Sequence, residues 1–407
     1  MRLLNSMKKG KCFASVLLVS MALLFPGAVS VSAADAAAQP ARTLRVALYP
    51  YVPDLQAFKT TLQTQWQKAH PDTALQFVDW DCYVDAPRMD IDVFVFDATY
   101  FPAYWRSGVL SPLGKTLPDQ KQYPQWLLTA AEKDGVYYSI PQMVCMDTLF
   151  YRKGDKALAK VKTMDELYRA VGPRKTDSLL PGPDEGVLTD FSPSSGNPLK
   201  YYNILQDHYQ ALVPQQAMQG VDSHALSYLQ HWFAMTGKAT GLYASDYEFT
   251  RAQWFAAGHG RALYAYPESF HEIVRLGQGD NVDIKTISSC EHPDFATSYV
   301  DYVGISAKIA EDKKDAAEKM AAMLTSKDYM LAILRPSDTQ ETPQYLLSAR
   351  EDVMKDLAKS DKTYQKIYRK LYKHKNLHVM TGTTDFTTWE NKVNPNIEKA
   401  LNTASAK

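Results

Sequence analysis

The chain has 407 residues, with 45 Lys plus Arg balanced by 45 Asp plus Glu, a formal net charge of zero. That balance gives no electrostatic reason to expect a polyanionic partner, so nucleic acid is not an expected ligand. A chain this long exceeds what one core usually serves, and two lobes are expected.

The N-terminus carries Arg2, Lys8, Lys9 and Lys11, an apolar run from Phe13 to Val31, and then Ser32-Ala33 followed by Ala34. A basic start, an apolar middle and small residues at the cut make a secretory signal over residues 1–33. Pro26, Gly27 and the serines leave too short an unbroken stretch for a membrane anchor. Cys12 precedes the run, which is the wrong side for lipid attachment. Residues 34–42 are Ala-rich and aperiodic, as in a disordered leader. With no second segment near spanning length, the expectation is a secreted or periplasmic chain with no membrane partner after cleavage. Three cysteines remain, Cys82, Cys145 and Cys290. An odd count leaves at least one thiol unpaired within a single exported chain, and spacing does not decide whether Cys82 pairs with Cys290.

Leu44–Tyr49 reads as a strand, Leu55–His70 as a helix, and Ala74–Trp80 and Ile91–Phe96 as strands. The last is nearly unbroken in its apolar character, as in a strand covered on both faces. Helix between strands implies parallel β-α-β wiring. Ligands of such sheets lie beyond the carboxyl ends of the strands, which selects Tyr49 and Tyr51, Asp81 and Tyr83, and Asp97 and Tyr100. Asp134-Gly135 marks a turn into a strand at Val136–Ile140 that leads into SIPQMVCMDTLFYRKGD, residues 139–155. Met164–Val171 reads as a short helix, and the Pro-, Gly- and Ser-rich interval 172–198 as a surface excursion. Tyr201–Gln230 and Tyr247–Ala257 read as helices, Arg261–Tyr266 as a buried strand and Val300–Ser306 as a return strand. Beyond Asp312 the pattern is helical almost to the end.

The chemistry centres on Cys145. A thiol becomes a nucleophile at neutral pH when a base takes its proton or the site depresses its pKa. His259 and His271 are possible bases, although neither lies in a cysteine-protease signature. Glu268, in RALYAYPESF, follows a buried strand directly; desolvation there would bring a carboxylate closer to a thiol in proton affinity, while the alternative is a glutamate at the start of the next helix. Metal motifs are weak. His271-Glu272 lacks the second histidine of HExxH, where Arg275 stands, no CxxC occurs, and His208, His224 and His231 read as solvated helix residues. Tyrosines are numerous at strand ends: Tyr49, Tyr51, Tyr83, Tyr100, Tyr247, Tyr264, Tyr266, Tyr299 and Tyr302. Their rings suit a flat heteroaromatic or cationic ligand, a sugar being the other class they serve.

The crossing at YYSIPQMVCMDTLFYRK and the later RALYAYPES resemble thiaminase I (thiamine pyridinylase), a secreted bacterial family. The resemblance implies an α/β fold of the two-lobed periplasmic-binding-protein type (type II), each lobe a mixed sheet flanked by helices, with the ligand cleft between them. Lobe I would be residues 43–142 and 304–340, and lobe II 143–303 and 341–402. It also implies a transferase in which the Cys145 thiolate adds to the thiamine pyrimidine, the thiazole departs and an amine or thiol replaces it. Glu268 would be the base, and Asp97 would meet the pyrimidine nitrogens. Tyr49, Tyr51, Tyr83 and Tyr266 would line the cleft, with Tyr299 and Tyr302 as further candidates and a second cleft aspartate at Asp147 or Asp301. No cofactor or metal is implied; the partners are thiamine and an amine or thiol co-substrate, acting on a monomer. A non-catalytic solute-binding protein delivering thiamine, or another heteroaromatic or sugar, to a transporter is the alternative.

Overall fold

The computed structural model describes residues 42–404 except 177, 179, 192–195, 211, 212, 214, 238–247, 337–340 and 382–385. The expected signal (1–33) and all of the leader but Arg42 lie outside the described residues, as does Tyr247.

In chain order the elements are β1 (Arg42–Ala47), α1 (Leu55–Ala69), β2 (Thr73–Phe77), β3 (Val93–Asp97), α2 (Phe101–Arg106), α3 (Gln125–Ala130), β4 (Glu132–Lys133), β5 (Val136–Tyr137), β6 (Ile140–Met146), β7 (Thr148–Arg152), α4 (Met164–Val171), β8 (Val187–Leu188), α5 (Gly196–His208), α6 (Ser223–Thr236), α7 (Glu248–Ala256), β9 (Ala262–Ala265), α8 (Phe270–Arg275), β10 (Val282–Lys285), β11 (Ala296–Ile305), α9 (Lys314–Leu324), α10 (Lys327–Leu334), β12 (Leu347–Ser348), α11 (Glu351–Ser360), α12 (Lys362–Ile367), β13 (Leu377–Val379) and α13 (Phe386–Ala404).

A seven-stranded sheet has the order β12-β6-β11-β3-β1-β2, with β13 also paired to β11. Strands β1, β2 and β3 run parallel, and β11 lies antiparallel to both β3 and β6. A four-stranded sheet has the order β10-β7-β9-β8. Both are mixed sheets flanked by helices, and each has its own apolar core.

Local chemistry explains the first unit. Asp54 caps α1 by accepting from the Ala57 amide at 2.8 Å, which satisfies a helix-end donor that has no partner within the helix. Phe58, Leu62 and Trp66 recur every four residues and form the buried stripe of α1. The Trp66 indole then donates to the Thr73 carbonyl at 2.7 Å, tying the helix end to the start of β2. Every residue of β3 is buried, as its unbroken apolar run predicts.

Several expectations shift. Tyr201–Gln230 is two helices, α5 and α6, because Asp222 caps a new start by accepting from the Ala225 amide. The interval 172–198 is not wholly a surface excursion: β8 pairs with β9, and Val187 and Leu188 are buried. The region beyond Asp312 includes β12 and β13, which join the larger sheet. β6 as far as Met146 and all of β11 also belong to that sheet, so the expected limits at 142/143 and 303/304 do not coincide with where the chain changes sheets. The part drawn as 341–402 is likewise divided, with β12 on the larger sheet and α13 packed on α5 and α6. The cause is that short apolar strands at a crossing are indistinguishable by periodicity from strands on either side of it.

Candidate active site

β6 and β7 are consecutive strands in different sheets, separated only by Asp147. Cys145 therefore sits at the end of β6, beside the point where the chain leaves the larger sheet. β9 pairs antiparallel with β7, with Ala265 opposite Thr148, so its carboxyl end arrives at the same corner. A turn at Pro267–Ser269 follows, carrying Glu268. The Cys145 sulfur lies 3.9 Å from Glu268 Oε1 and 4.0 Å from Oε2. Glu268 is buried, while Cys145 keeps partial exposure. The two side chains reach this corner from different sheets, 123 residues apart in sequence.

Sheet register supplies the rest of the floor. Tyr299 of β11 is opposite Cys145, and Asp301 is opposite both Met143 and Asp97. Directly paired residues share a face, as do residues two apart along a strand, so Cys145, Tyr299, Asp301 and Asp97 lie on one face across three strands. Asp97 accepts from the Thr99 amide at 2.7 Å and from the Tyr83 hydroxyl at 2.9 Å. Burial pushes its carboxyl up from the usual range, partly offset by those donors. Asp301 is pushed well above that range, by burial first and then by the charge of Asp97.

Of the six tyrosines named for the cleft, five fall into two packed groups. Tyr49, Tyr51 and Tyr83 pack edge to face, with centroids 5.5–6.3 Å apart. The Tyr49 and Tyr83 hydroxyls are 2.9 Å apart, and Tyr51 donates to Asp81. Burial raises the Tyr49 hydroxyl well above its ordinary pKa, reinforced by Asp301, Asp97, Cys82 and Cys145. Tyr83 is 40% exposed and stands at the rim. Tyr266 packs against Tyr299 at 5.4 Å.

Tyr302 is the correction. One residue past Asp301, it points to the opposite face, where its ring is fully buried against Phe96 and Phe101 and its hydroxyl donates to the Leu127 carbonyl at 3.3 Å. It is a core residue. The alternative bases also face elsewhere: His271 Nδ1 lies 3.0 Å from the Pro343 carbonyl and His259 Nδ1 3.3 Å from the Pro181 carbonyl. Cys82 and Cys290 are buried in different cores and carry no disulfide.

Two of the expected residues, Asp147 and Tyr299, join a polar group whose third member, Asn203, is not evident from sequence. Asp147 accepts from Asn203 at 2.9 Å and from the Tyr299 hydroxyl at 3.2 Å, and Asn203 also donates to that hydroxyl. Burial raises the Asp147 carboxyl; Lys200 and the Tyr299, Tyr264 and Asn203 donors oppose that shift. Asn203 lies mid-helix in α5 with no motif around it, so only the packing of α5 on β11 reveals it.

Residues 146–290 match the Thiaminase-1 domain family model. The chain is 32% identical over 386 residues to Thiaminase-1 of Paenibacillus thiaminolyticus, covering 92% of each. Thiaminase I of Clostridium botulinum in complex with thiamin has the same fold with a TM-score of 0.83 at 31% identity, over 88% of this chain and 100% of that one. A solute-binding protein of Thermotoga lettingae bound with α-D-tagatose, at 16% identity and a TM-score of 0.68 over 88% and 94% of the chains, shares the fold alone. Identity at this level across nearly the whole length shows that the chain belongs to the thiaminase I family.

Proposed function

We propose that this protein degrades thiamine by transfer, with Cys145 as nucleophile and Glu268 as its base. The observation that carries the reading is the Cys145–Glu268 pair at 3.9 Å, in a chain of this family. Such contacts are often long in a ligand-free site and tighten when substrate binds.

Glu268 takes the thiol proton, and the thiolate adds to the pyrimidine carbon neighbouring the one that bears the bridging methylene. Negative charge builds on the ring nitrogens. Asp97 and Asp301 are buried carboxyls on paired residues whose proton affinities are raised, that of Asp301 more, so a proton on Asp301 supplies a donor where that charge develops. The ring electrons then expel the thiazole; its bond to the methylene breaks, and the departing pair neutralises its positive charge. Glu268 releases its first proton to solvent and takes a second from the incoming amine or thiol, which bonds to the methylene. The thiolate leaves and recovers its proton from Glu268. One proton is released overall, matching the conversion of a cationic substrate into neutral products. Tyr49, Tyr51, Tyr83 and Tyr266 stack on the heteroaromatic rings, and closure over them favours transfer over hydrolysis by excluding water.

Both reacting groups belong to one chain, so a monomer suffices. The signal-like N-terminus supports export, and no helix among the described residues is long and apolar enough to cross a membrane. The test is incubation of the purified protein with thiamine and aniline, followed by mass spectrometry. The exchanged pyrimidine product is expected, and it should vanish in Cys145→Ser. Intact thiamine recovered from the wild type would favour a carrier, and undiminished turnover in the variant would remove the nucleophile assignment.

A further inference from the structure

Outside the cleft, four chemistry-bearing side chains that sequence separates are brought together. His208 is the last residue of α5, His224 stands in the first turn of α6, and Cys290 and Glu291 lie between β10 and β11. His208 Nδ1 is 2.9 Å from Glu291 Oε1, His224 Nε2 is 3.7 Å from Glu291 Oε2, and Cys290 Sγ is 3.7 Å from His224 Nε2. One ligand atom from each of the four lies within 4.8 Å of every other. We propose that His208, His224, Cys290 and Glu291 form a structural transition-metal site of the zinc class, joining two helices of the smaller lobe to the segment that enters β11.

The geometry fits that ion. Zinc bonds of about 2.0 Å to nitrogen or oxygen and 2.3 Å to sulfur place tetrahedral ligand atoms roughly 3.3–3.6 Å apart; the contacts at 2.9 and 3.7 Å bracket that spacing, and one atom from each residue lies within 4.8 Å of the others. The donor set is one thiolate, two imidazoles and a carboxylate, which suits zinc and disfavours magnesium or calcium. Four protein ligands close a tetrahedron, leaving no position for a reacting water, so the role is structural.

An outer support is also present. Asp207, fully buried, accepts from the Ser288 hydroxyl, from the Cys290 amide at 2.9 Å and from the His292 amide at 3.3 Å. The loop bearing two of the four ligands is thereby held in shape before any ion arrives, as outer-sphere carboxylates do in metal sites. The blander reading of an exposed His208–Glu291 ion pair accounts for little stability and gives no reason for a buried thiol to face the second imidazole. The two histidines read as solvated in sequence because neither lies in a metal spacing; His208 and Glu291 are 83 residues apart, and His224 and Cys290 are 66 apart.

The test uses the full mature chain carrying Cys145→Ser, so that the cleft thiol cannot contribute a ligand. After chelation, Zn2+ alone is added, excess is removed by gel filtration, and bound metal is counted. One equivalent per chain and a raised Tm are expected. Co2+ in its place should give tetrahedral d–d bands and a thiolate charge-transfer band. Outer-sphere substitutions typically cost about 10- to 100-fold in metal affinity, and removal of a direct ligand in His208→Gln or His224→Gln should cost more. These ligands are partly exposed, so the variants are expected to fold, and in the wild-type Cys145 background they should still cleave thiamine. Failure to retain zinc, unchanged retention in both histidine variants, or a cobalt spectrum without thiolate ligation would overturn the proposal.

Discussion

The Cys145 sulfur and the Glu268 carboxylate meet at 3.9 Å across the corner where β6 passes into β7 and β9 ends. If Glu268 is the base, Glu268→Gln keeps the shape but cannot take the proton, and kcat should fall by about 100- to 10,000-fold. A second readout separates this from a packing defect. Alkylation of Cys145 by iodoacetamide should require a higher pH in Glu268→Gln than in the wild type. Identical alkylation profiles would show that Glu268 does not act on the thiol.

Asp97 and Asp301 face one another across the β3–β11 ladder, and this pairing has a cost in stability. Asp301 has its carboxyl pushed well above the usual range by burial and by Asp97. Above roughly pH 4, the ordinary aspartate value, the unfolded chain loses this proton before the folded chain does. The unfolded state then binds fewer protons, so the contribution of Asp301 to stability declines as pH rises, until the folded carboxyl also ionises. Asp301→Asn removes that slope. Its Tm should exceed that of the wild type at neutral pH and depend less on pH, while kcat/KM falls by about 100-fold because an amide can donate to the ring but cannot pass it a proton. Thermal melts from pH 4 to 8 check this; a lower Tm throughout would contradict it.

Much of this site is legible in sequence because its elements announce themselves locally. The apolar run of β3 ends at Asp97, and the crossing segment carries a thiol that a carrier has no use for. Glu268 follows a buried strand directly. What sequence leaves open is set by contacts between distant segments. Tyr299 and Tyr302 stand three apart near a strand end and look equivalent, yet register places one beside Cys145 and the other in the core. Asn203, His224 and Cys290 gain their partners only when α5, α6 and the β10–β11 segment pack together.

Gly304 shows how tightly the floor strand is packed. It lies opposite Phe94 in the β11–β3 ladder, and a Cβ there would come within 2.7 Å of Leu110 Cδ2 and 3.0 Å of Phe96 Cε1. Gly304→Ala should destabilise the fold by about 1 to 3 kcal/mol through overpacking. Denaturant unfolding checks the value. A neutral effect would mean that Leu110 and the Phe96 ring can move aside.

The two faces of β11 give a final discriminating pair. Tyr302→Phe removes a hydroxyl that donates to the Leu127 carbonyl inside the core, so it should lower stability by about 1 kcal/mol with kcat and KM unchanged. Tyr83→Phe removes the donor that holds Asp97 at 2.9 Å and also faces the Tyr49 hydroxyl. That hydroxyl serves a buried carboxyl, so its loss should also lower stability, by about 1 kcal/mol. It should in addition impair the reaction if Asp97 meets the pyrimidine as proposed, because the carboxylate is freed to turn. Melts should therefore move in both variants, while steady-state kinetics separate them, kcat/KM falling in Tyr83→Phe alone. The reverse outcome, with Tyr302→Phe impairing turnover and Tyr83→Phe not, would place the substrate on the opposite face of the sheet from Cys145.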